Sequence, residues 1–305
     1  MSTISALLKK TQSELNQIIL GKPQQTRLAL CSILARGHLL IEDLPGVGKS
    51  TLSHAMAQIF GLEFKRVQFT SDMLPADLLG VSTYNQTDGQ FTFHPGPVFT
   101  HLLLADEINR ASPRTQSALL EAMSEHQVSI EGETRSLPDP FFVIATQNPK
   151  ESAGTFPLPD SQLDRFLLRI SLGYPSRSEE RELLMGTRRD LLIKKTAAIM
   201  GQSSLLDAQK EVDKIHVSDA LLEYLQNLIA KTRDKAVFIH GLSPRASLGM
   251  LQAARAWAYL DDRDFCIPED VQAVFIPVAQ HRLVAVNDPD STAFVLQEIL
   301  NNTST

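Results

Sequence analysis

A glycine-rich segment carries the clearest chemistry in the sequence. It reads Ile41-Glu42-Asp43-Leu44-Pro45-Gly46-Val47-Gly48-Lys49-Ser50 and lies between a short apolar run and a helical pattern. In a phosphate-binding loop, glycines let successive backbone N–H groups curl around a phosphate, a lysine reaches the β and γ phosphates, and a Ser or Thr hydroxyl binds magnesium. All of these groups are present here, although Asp43 stands where the pattern has its first glycine. The segment therefore predicts a nucleotide phosphate site.

The residues around this loop support the same interpretation. His38–Glu42 is typical of a strand, and Thr51–Phe60 carries helix-forming residues up to a stop at Gly61. The anion would therefore lie at a helix N-terminus, where free backbone N–H groups bind it. An accidental Gly-Pro turn before a helix is the alternative on this stretch alone. The candidate nucleotide-binding residues of the loop are Asp43, Pro45, Gly46, Val47, Gly48, Lys49, Ser50 and Thr51.

A second chemical signal follows an aliphatic run. Leu102–Ala105 predicts a buried strand, and Asp106 and Glu107 come directly after it. At the edge of a sheet, Asp106 would hold magnesium together with Ser50, and Glu107 would polarise a water molecule. A pair of acids at a strand end is common on protein surfaces. After a phosphate-binding loop, however, the pair is typical of the Walker B arrangement of ATPases.

The elements that must position these residues alternate between strand and helix. Short apolar strands interleaved with helices predict a parallel sheet with helices on both faces, and such sheets bind ligands beyond the carboxyl ends of their strands. The loop Asp43–Ser50, the pair Asp106-Glu107 and Asn148 all follow strands directly. We therefore expect them at one edge of the sheet. The predicted strands are His38–Glu42, Phe64–Phe69, Leu102–Ala105, Phe141–Thr146 and Phe166–Ile170.

Two hairpins and a change of pattern complete the predicted architecture. Asp88-Gly89 signals a hairpin turn within Val81–Phe99, and a second small hairpin is predicted over Gln127–Leu137. Past about Ser178 the strand signals stop, and the remaining pattern predicts an all-α domain after a hinge at Gly173–Ser176. We expect one domain over residues 1–176 and another over residues 177–305. The helices predicted in the second are Ala220–Thr232, Pro244–Leu260 and Pro268–Leu283.

Composition limits the remaining classes of function. The 305 residues are 43% hydrophobic and 21% charged, which is the balance of a soluble globular protein. No stretch approaches the ~18–20 apolar residues of a membrane helix, and Met1–Ser13 lacks the layout of a secretion signal, so we expect a cytoplasmic protein with no membrane partner. A net charge of −6 argues mildly against a nucleic-acid partner. Cys31 and Cys266 lie in apolar helical patterns without a CxxC motif and are expected to be core thiols.

Together, the motifs resemble those of MoxR-type AAA+ ATPases of the helix-2-insert clade. Asp43 in place of the first loop glycine is usual in that family, and the two hairpins match its helix-2 and pre-sensor inserts. The resemblance implies an α/β P-loop NTPase fold, with a five-stranded parallel sheet that carries β-hairpin inserts and a smaller all-α lid domain. It extends over nearly the whole chain in the family's order, through Glu42–Ser50, Asp106–Arg110, Ala145–Pro149, Leu158–Phe166 and Ser243–Ala246.

The resemblance also implies roles for arginines outside the loop. Arg165 corresponds to the arginine finger that one subunit supplies to the nucleotide of its neighbour, with Arg169 and Arg110 as runner-up candidates. A surface ion pair of Arg165 with Asp164 or Asp160 is the plain alternative. Arg245 corresponds to the sensor-2 arginine, and the sequence leaves open whether it acts in cis or in trans.

Two further positions follow from the same resemblance. Asn148 corresponds to the sensor-1 residue, which helps to position the attacking water, although an Asn before Pro149 is also an ordinary turn residue. Gly21 lies in a segment that resembles the part of the family that packs on adenine. An ordinary helix-ending glycine explains Gly21 nearly as well.

The function implied by the resemblance is magnesium-dependent hydrolysis of ATP to ADP by a homo-oligomeric ring, expected to be a hexamer. Such rings act as chaperones that remodel or mature partner proteins, for example in metal insertion. The implied partners are a protein with a von Willebrand factor A domain and a client. Two alternatives stay open, a ring motor acting on nucleic acid and a nucleotide-switched interaction module. Val81–Phe99 contains no Lys or Arg, which argues against the motor.

Overall fold

The centre of the fold is a parallel sheet of five strands. The computed structural model describes residues 3–86, 89–148 and 154–304. Its strands are β1 His38–Glu42, β2 Phe64–Gln68, β3 Gly80–Asn85, β4 Gln90–Pro95, β5 Leu102–Asp106, β6 Gln127–Ile130, β7 Glu133–Ser136, β8 Phe142–Gln147 and β9 Phe166–Ile170. The central sheet has the order β2-β5-β8-β1-β9 with parallel pairing throughout. The sheet predicted from the five apolar runs is confirmed.

Helices cover both faces of this sheet and form the C-terminal part of the chain. They are α1 Thr3–Ile18, α2 Pro23–Leu34, α3 Lys49–Phe60, α4 Pro75–Leu79, α5 Pro113–Glu125, α6 Asp160–Leu163, α7 Arg177–Met185, α8 Arg189–Lys195, α9 Gln202–Asp213, α10 Asp219–Thr232, α11 Pro244–Leu260, α12 Pro268–Ala279 and α13 Thr292–Asn301. Among the described residues, only helical elements follow Arg177, apart from isolated bridges. The exact domain boundary between residues 176 and 177 stays a prediction.

Several helices differ from the sequence prediction. The helix α3 begins at Lys49, two residues before the predicted start, because the phosphate-binding loop itself forms the first turn. The helix α12 ends at Ala279, before the predicted end at Leu283, and Pro277 lies within its last turn. The helices α7, α8, α9 and α13 were not predicted. In α7 no residue is buried, and its apolar side chains Leu183, Leu184 and Met185 are exposed.

Alternate side chains of the central strands build two cores. Leu39 and Ile41 point to the face covered by α1, α2, α3 and lid helices, while Leu40 between them points to the face covered by α4 and α5. Both cysteines are free and buried, as expected for core thiols. Cys31 Sγ donates to the Ala253 carbonyl at 3.2 Å, so this thiol lies at the contact between α2 and α11. The lid therefore shares a core with the sheet.

The register of the sheet aligns the polar strand ends. Glu42 pairs with Gln147, and Gln68 pairs with Asp106, so the last residues of neighbouring strands lie side by side. Asp43 and Asn148 follow directly after β1 and β8. The predicted meeting of these segments at one carboxyl edge of the sheet is confirmed.

Both predicted hairpins are present. In the first, β3 pairs with β4 so that Tyr84 lies opposite Phe91, while Asp88 of the predicted turn lies outside the described residues. In the second, β6 pairs with β7 through a two-residue turn at Glu131 and Gly132, which have φ of 54° and 82°. No described helix is long and apolar enough to cross a membrane.

A buried ion pair fastens the lid to the sheet. Arg282, which follows α12 and has a side chain only 5% exposed, donates from Nε to Asp164 Oδ1 at 2.8 Å. Its Nη2 donates to the carbonyl of Phe166 at 2.5 Å. Ser243, the N-cap of α11, donates its hydroxyl to the same carboxylate at 3.0 Å. Asp164 therefore joins the start of β9 to two separate parts of the lid.

We predict that Asp164→Ala lowers the free energy of unfolding by about 3–5 kcal/mol, because it leaves the Arg282 guanidinium buried without its counter-charge. Chemical denaturation followed by circular dichroism measures the change. Asp207→Ala is the matched control, since it removes an exposed ion pair with Lys210, and exposed pairs contribute at most about 1 kcal/mol. Equal effects of the two substitutions would contradict the structural role of Asp164.

Candidate functional site

The loop between β1 and α3 has the backbone of an anion-binding turn. Gly46 and Gly48 adopt φ of 82° and 103°, a region that residues with a Cβ rarely occupy. A Cβ built on either glycine would meet no described atom within 4 Å, so the backbone conformation, and not a close neighbour, requires glycine. Gly48 is the N-cap of α3 and makes no side-chain cap. The first N–H groups of this helix are therefore available to a ligand.

These groups face a cavity of about 330 Å³. Eight of the predicted site residues line it, namely Pro45, Gly46, Gly48, Lys49, Ser50, Thr51, Asp106 and Glu107, and Arg66 and Gln68 from β2 complete the wall. The structure thus brings the phosphate loop and the acid pair together, as the two motifs predicted. Val47 does not line this cavity and instead packs partly buried against the core.

Asp106 is held in place by two partners. Its Oδ1 accepts the Thr146 hydroxyl at 2.6 Å, and its Oδ2 accepts Arg66 Nη2 at 2.6 Å and Nε at 3.2 Å. Thr146 is fully buried and belongs to the neighbouring strand β8. The carboxylate therefore points in a fixed direction at the wall of the cavity.

Glu107 adopts a backbone conformation that is rare for a residue with a side chain. Its φ of 56° and ψ of 49° are left-handed, a conformation that costs about 1–3 kcal/mol outside glycine. The Glu107 N–H donates to the Thr146 hydroxyl at 2.9 Å, which helps to hold this turn. Its carboxylate pairs with Arg110 Nε at 2.9 Å. One hydroxyl, that of Thr146, thus contacts both the carboxylate of Asp106 and the backbone of Glu107.

The oxygen groups of the cavity fit magnesium. The Ser50 hydroxyl and the Asp106 carboxylate both line it, and hard cations prefer such oxygen ligands. The Arg66 guanidinium lies beside Asp106, with Nη2 2.6 Å from Oδ2. Asn148 is buried immediately after β8, next in the sheet to the strand that carries Asp106. Its sensor role stays a prediction, and Pro149 lies outside the described residues.

The structure places the Asp43 carboxylate away from this cavity. It accepts the N–H of Leu44 at 2.8 Å, the N–H of both Leu172 and Gly173 at 2.6 Å, and the Ser171 hydroxyl at 3.0 Å. Burial alone would raise the pKa of this carboxyl, but the hydrogen bonds, led by that of Gly173, hold it below its usual value. Only the carbonyl of Asp43 approaches the loop lysine, and it accepts Lys49 Nζ at 2.7 Å.

Gly21 lies near the predicted hinge and not in the wall of the cavity. It has φ of 67°, and a Cβ there would collide with the Glu179 carboxylate. Beside it, Lys22 Nζ donates to the Tyr174 carbonyl at 2.8 Å. The backbone thus requires glycine at this position, and the adenine contact stays a prediction.

A second cavity, of about 440 Å³, contains the arginines expected to act on a neighbour. It is lined by Arg36, Arg165, Arg245, Arg255 and Arg282, with Asp164 the one acidic side chain among its lining residues, and it shares no lining residue with the phosphate cavity. Asp164 is paired with Arg282. Arg165 instead donates to the Leu120 carbonyl at 2.6 Å and to the Ser124 hydroxyl. This concentration of positive charge suits an anion.

The two runner-up arginines lie elsewhere. Arg110 pairs with Glu107, which lines the phosphate cavity, and Arg169 pairs with Glu42 at 2.5 Å at the end of β1. Neither arginine lines the phosphate cavity or the second cavity, whereas Arg165 and Arg245 line the second.

Sequence reasoning missed three residues of the site. Arg66 and Thr146 contact Asp106 from strands on either side of β5, and Ser171 contacts Asp43 after β9. Each contact joins residues at least 40 positions apart in sequence. The position of Thr146, directly before a predicted polar strand end, is a signal that could have indicated it.

Two family models match the chain. The model described as "ATPase family associated with various cellular activities (AAA)" matches residues 38–168. The model described as "AAA lid domain" matches residues 230–301. The phosphate cavity falls in the first range, and Arg245 falls in the second.

Similar proteins extend over most of the chain. Protein YeaC of Bacillus subtilis (strain 168) is 44% identical over 278 residues, which are 91% of this chain and 87% of that protein. Chaperone MoxR1 of Mycobacterium tuberculosis is 40% identical over 306 residues, which cover 96% of this chain and 81% of the relative. A solved structure from Cytophaga hutchinsonii has a TM-score of 0.88 and 33% identity, and the match covers 99% of this chain and 95% of that one.

We predict that Thr146→Val lowers the free energy of unfolding by about 1–3 kcal/mol, because it leaves the Glu107 N–H and the Asp106 carboxylate each without a buried partner. Thr146→Ser is the control, since it keeps the hydroxyl and loses only a methyl group. Denaturant unfolding of both variants measures the difference. A loss as large in the Ser variant as in the Val variant would mean that packing, and not the hydroxyl, matters here.

Proposed function

The chain belongs to the MoxR family of AAA+ ATPases, and we propose that it hydrolyses ATP with magnesium as one subunit of a homo-oligomeric ring, expected to be a hexamer. The placement of the two cavities carries this proposal. The phosphate loop and the acid pair line one cavity, and the candidate finger Arg165 lines another with no lining residue in common. A nucleotide in the first cavity would then take its trans-acting arginine from a second copy of the chain.

The residues of the phosphate cavity have separate roles in this proposal. The Lys49 ammonium binds the β and γ phosphates of ATP and stays in contact with the β phosphate of the ADP product. The loop N–H groups hold the phosphate oxygens. Ser50 and Asp106 would hold magnesium, which when bound neutralises charge on the phosphates. The Glu107 carboxylate takes the proton of the attacking water, and Asn148 helps to position that water. Thr146 holds the Asp106 carboxylate and the backbone N–H of Glu107.

The second cavity supplies arginines to the nucleotide site of the neighbouring subunit. Arg165 would reach the γ-phosphate of the next subunit, where a guanidinium stabilises the charge that develops in transfer of the phosphoryl group. Arg245 lines the same cavity, which supports a trans role for it as well. Head-to-tail contacts of this kind close into a ring when the rotation between subunits allows it. Hydrolysis would therefore depend on assembly.

The client of this ring is proposed to be a protein. A relative with 40% identity bears the name chaperone MoxR1, which supports a chaperone role for this chain in the cytoplasm. We take a protein with a von Willebrand factor A domain as its partner, and maturation of a client, such as metal insertion, as its task. The hairpin β3–β4 exposes the aromatic pair Tyr84 and Phe91, whose ring centroids are 5.2 Å apart. Exposed aromatic rings beside a strand without basic residues suit contact with polypeptide better than with nucleic acid.

We predict that Glu107→Gln and Arg165→Ala each lose at least about 100-fold in ATP turnover when assayed alone, since each lacks one half of the shared site. Mixing the two variants restores activity. In a mixed ring, the Arg165→Ala subunit keeps its glutamate and receives an intact finger from the Glu107→Gln subunit. Random mixing makes up to roughly a quarter of the interfaces competent. Steady-state phosphate release after mixing measures the recovery.

Arg188→Ala is the control for this experiment, because Arg188 is exposed and lines neither cavity. Its turnover is expected to match that of the unaltered chain. A mixture that stays at the level of the separate variants would show that Arg165 does not act between subunits. Full activity of Arg165→Ala alone would exclude it as the finger.

A further inference from the structure

The first residue of the phosphate loop is bound to the segment that joins the sheet to the lid. The Asp43 side chain accepts hydrogen bonds from four groups, and three of them belong to the consecutive residues Ser171, Leu172 and Gly173. Asp43 is only 7% exposed, so these contacts are shielded from water. The ordinary P-loop pattern has glycine at this position, and glycine could make none of these side-chain contacts.

The geometry requires a carboxylate. Oδ1 accepts Leu44 N–H, while Oδ2 alone accepts the Ser171 hydroxyl and two backbone N–H groups. Asparagine has one oxygen and one NH₂ group, so it would place a donor against a donor on one side. Glycine would leave the N–H groups of Leu172 and Gly173 without acceptors in a largely buried place.

The main chain of the same residue contacts the catalytic lysine. The Asp43 carbonyl accepts Lys49 Nζ at 2.7 Å. In the proposed reaction the Lys49 ammonium binds phosphate, so an arriving nucleotide competes for a group that Asp43 holds. Asp43 is thus in contact with both the phosphate-binding lysine and the hinge.

The hinge lies at one end of a strand whose other end faces the trans-acting arginines. β9 runs from Phe166 to Ile170, directly before Ser171, and Asp164 lies just before it. Asp164 holds both Ser243 of the lid and Arg282, and it is adjacent in sequence to Arg165. Acidic side chains therefore fasten β9 to the phosphate loop at one end and to the lid at the other.

We propose that Asp43 is a positioning residue that couples occupancy of the phosphate loop to residues 171–173, which lead into the predicted hinge at Gly173–Ser176, and through β9 to the arginines offered to the next subunit. This inference rests on the proposed function and deepens it, since it assigns a route by which one nucleotide site reports to the next. Asp43 does not itself bind nucleotide. When the Lys49 ammonium leaves the Asp43 carbonyl, Asp43 transmits this change to residues 171–173, which its carboxylate holds.

The test compares the unaltered chain with Asp43→Gly and Asp43→Asn. Fluorescence titration with a labelled ADP measures nucleotide affinity, and amide hydrogen exchange of the peptide covering residues 166–176 measures the hinge with and without ADP and magnesium. In the unaltered chain we expect ADP to change the exchange rate of this peptide. In Asp43→Gly we expect fast exchange of this peptide that ADP does not change. The affinity for ADP should stay within about threefold of that of the unaltered chain. The value of kcat should fall roughly tenfold, as for a typical coupling energy. The exchange rate and kcat of Asp43→Asn should lie between those of the unaltered chain and those of Asp43→Gly.

Asp77→Ala is the matched control, because Asp77 also accepts a backbone N–H, that of Leu74 at 2.8 Å, in a short helix away from the hinge. It should leave the response of residues 166–176 to ADP unchanged. Loss of nucleotide affinity in Asp43→Gly of more than about tenfold would make Asp43 a nucleotide ligand and overturn the proposal. A normal response of residues 166–176 to ADP in Asp43→Gly would also overturn the proposal. So would a lowered free energy of unfolding with an unchanged kcat.

The exchange experiment separates this inference from the proposed function. It requires only binding of ADP, so a chain that bound nucleotide but did not hydrolyse ATP would contradict the proposed function and still report on the hinge. Conversely, normal hydrolysis by a ring of Asp43→Gly subunits would leave the ATPase proposal intact and remove the coupling role.

Discussion

The in-register parallel pairing of β1, β5 and β8 is the constraint on which the site depends. It places the end of β5 beside the end of β8, so that one buried hydroxyl, that of Thr146, reaches both Asp106 and the N–H of Glu107. A shift of one residue between these strands would turn Thr146 toward the opposite face of the sheet. The two acids would then lose their common partner. The apolar residues that fix this register, such as Leu104 and Ile144, are therefore as necessary to the chemistry as the acids themselves.

The second general feature is that the charged groups of the site are paired within the chain. Asp106 binds Arg66, Glu107 binds Arg110, and the Lys49 ammonium binds a carbonyl. Partly buried charges without partners are costly, and the pairs remove that cost in the protein without ligand. In the proposed function, a nucleotide and its metal would compete with these contacts for Arg66, Asp106 and Lys49.

The sequence predicted the parts of the molecule that depend on local pattern. The phosphate loop, the acid pair, the central sheet and both hairpins follow from spacing and strand composition, and the structure contains them. Contacts between distant segments could not be predicted in this way. The bond from Leu172 to Asp43 joins residues 129 positions apart, and without it Asp43 suggested only an unusual phosphate ligand. The lid was also predicted incompletely: of the missed helices, α7 has no buried residue, whereas α9 and α13 bury apolar residues such as Leu205 and Leu296.

The position of β9 in the sheet explains why it suits communication between sites. It is an edge strand of the described sheet and pairs there with β1, while lid residues bond its backbone, with His281 donating to the Phe166 carbonyl and Gln280 to the Arg169 carbonyl. Its partner β1 leads directly into the phosphate loop. Asp43 and Asp164 fix its two ends with buried or partly buried hydrogen bonds, so movement at one end cannot be absorbed by a loose connection. In the proposed ring, this strand would therefore connect the phosphate loop of one subunit with the arginines offered to the next.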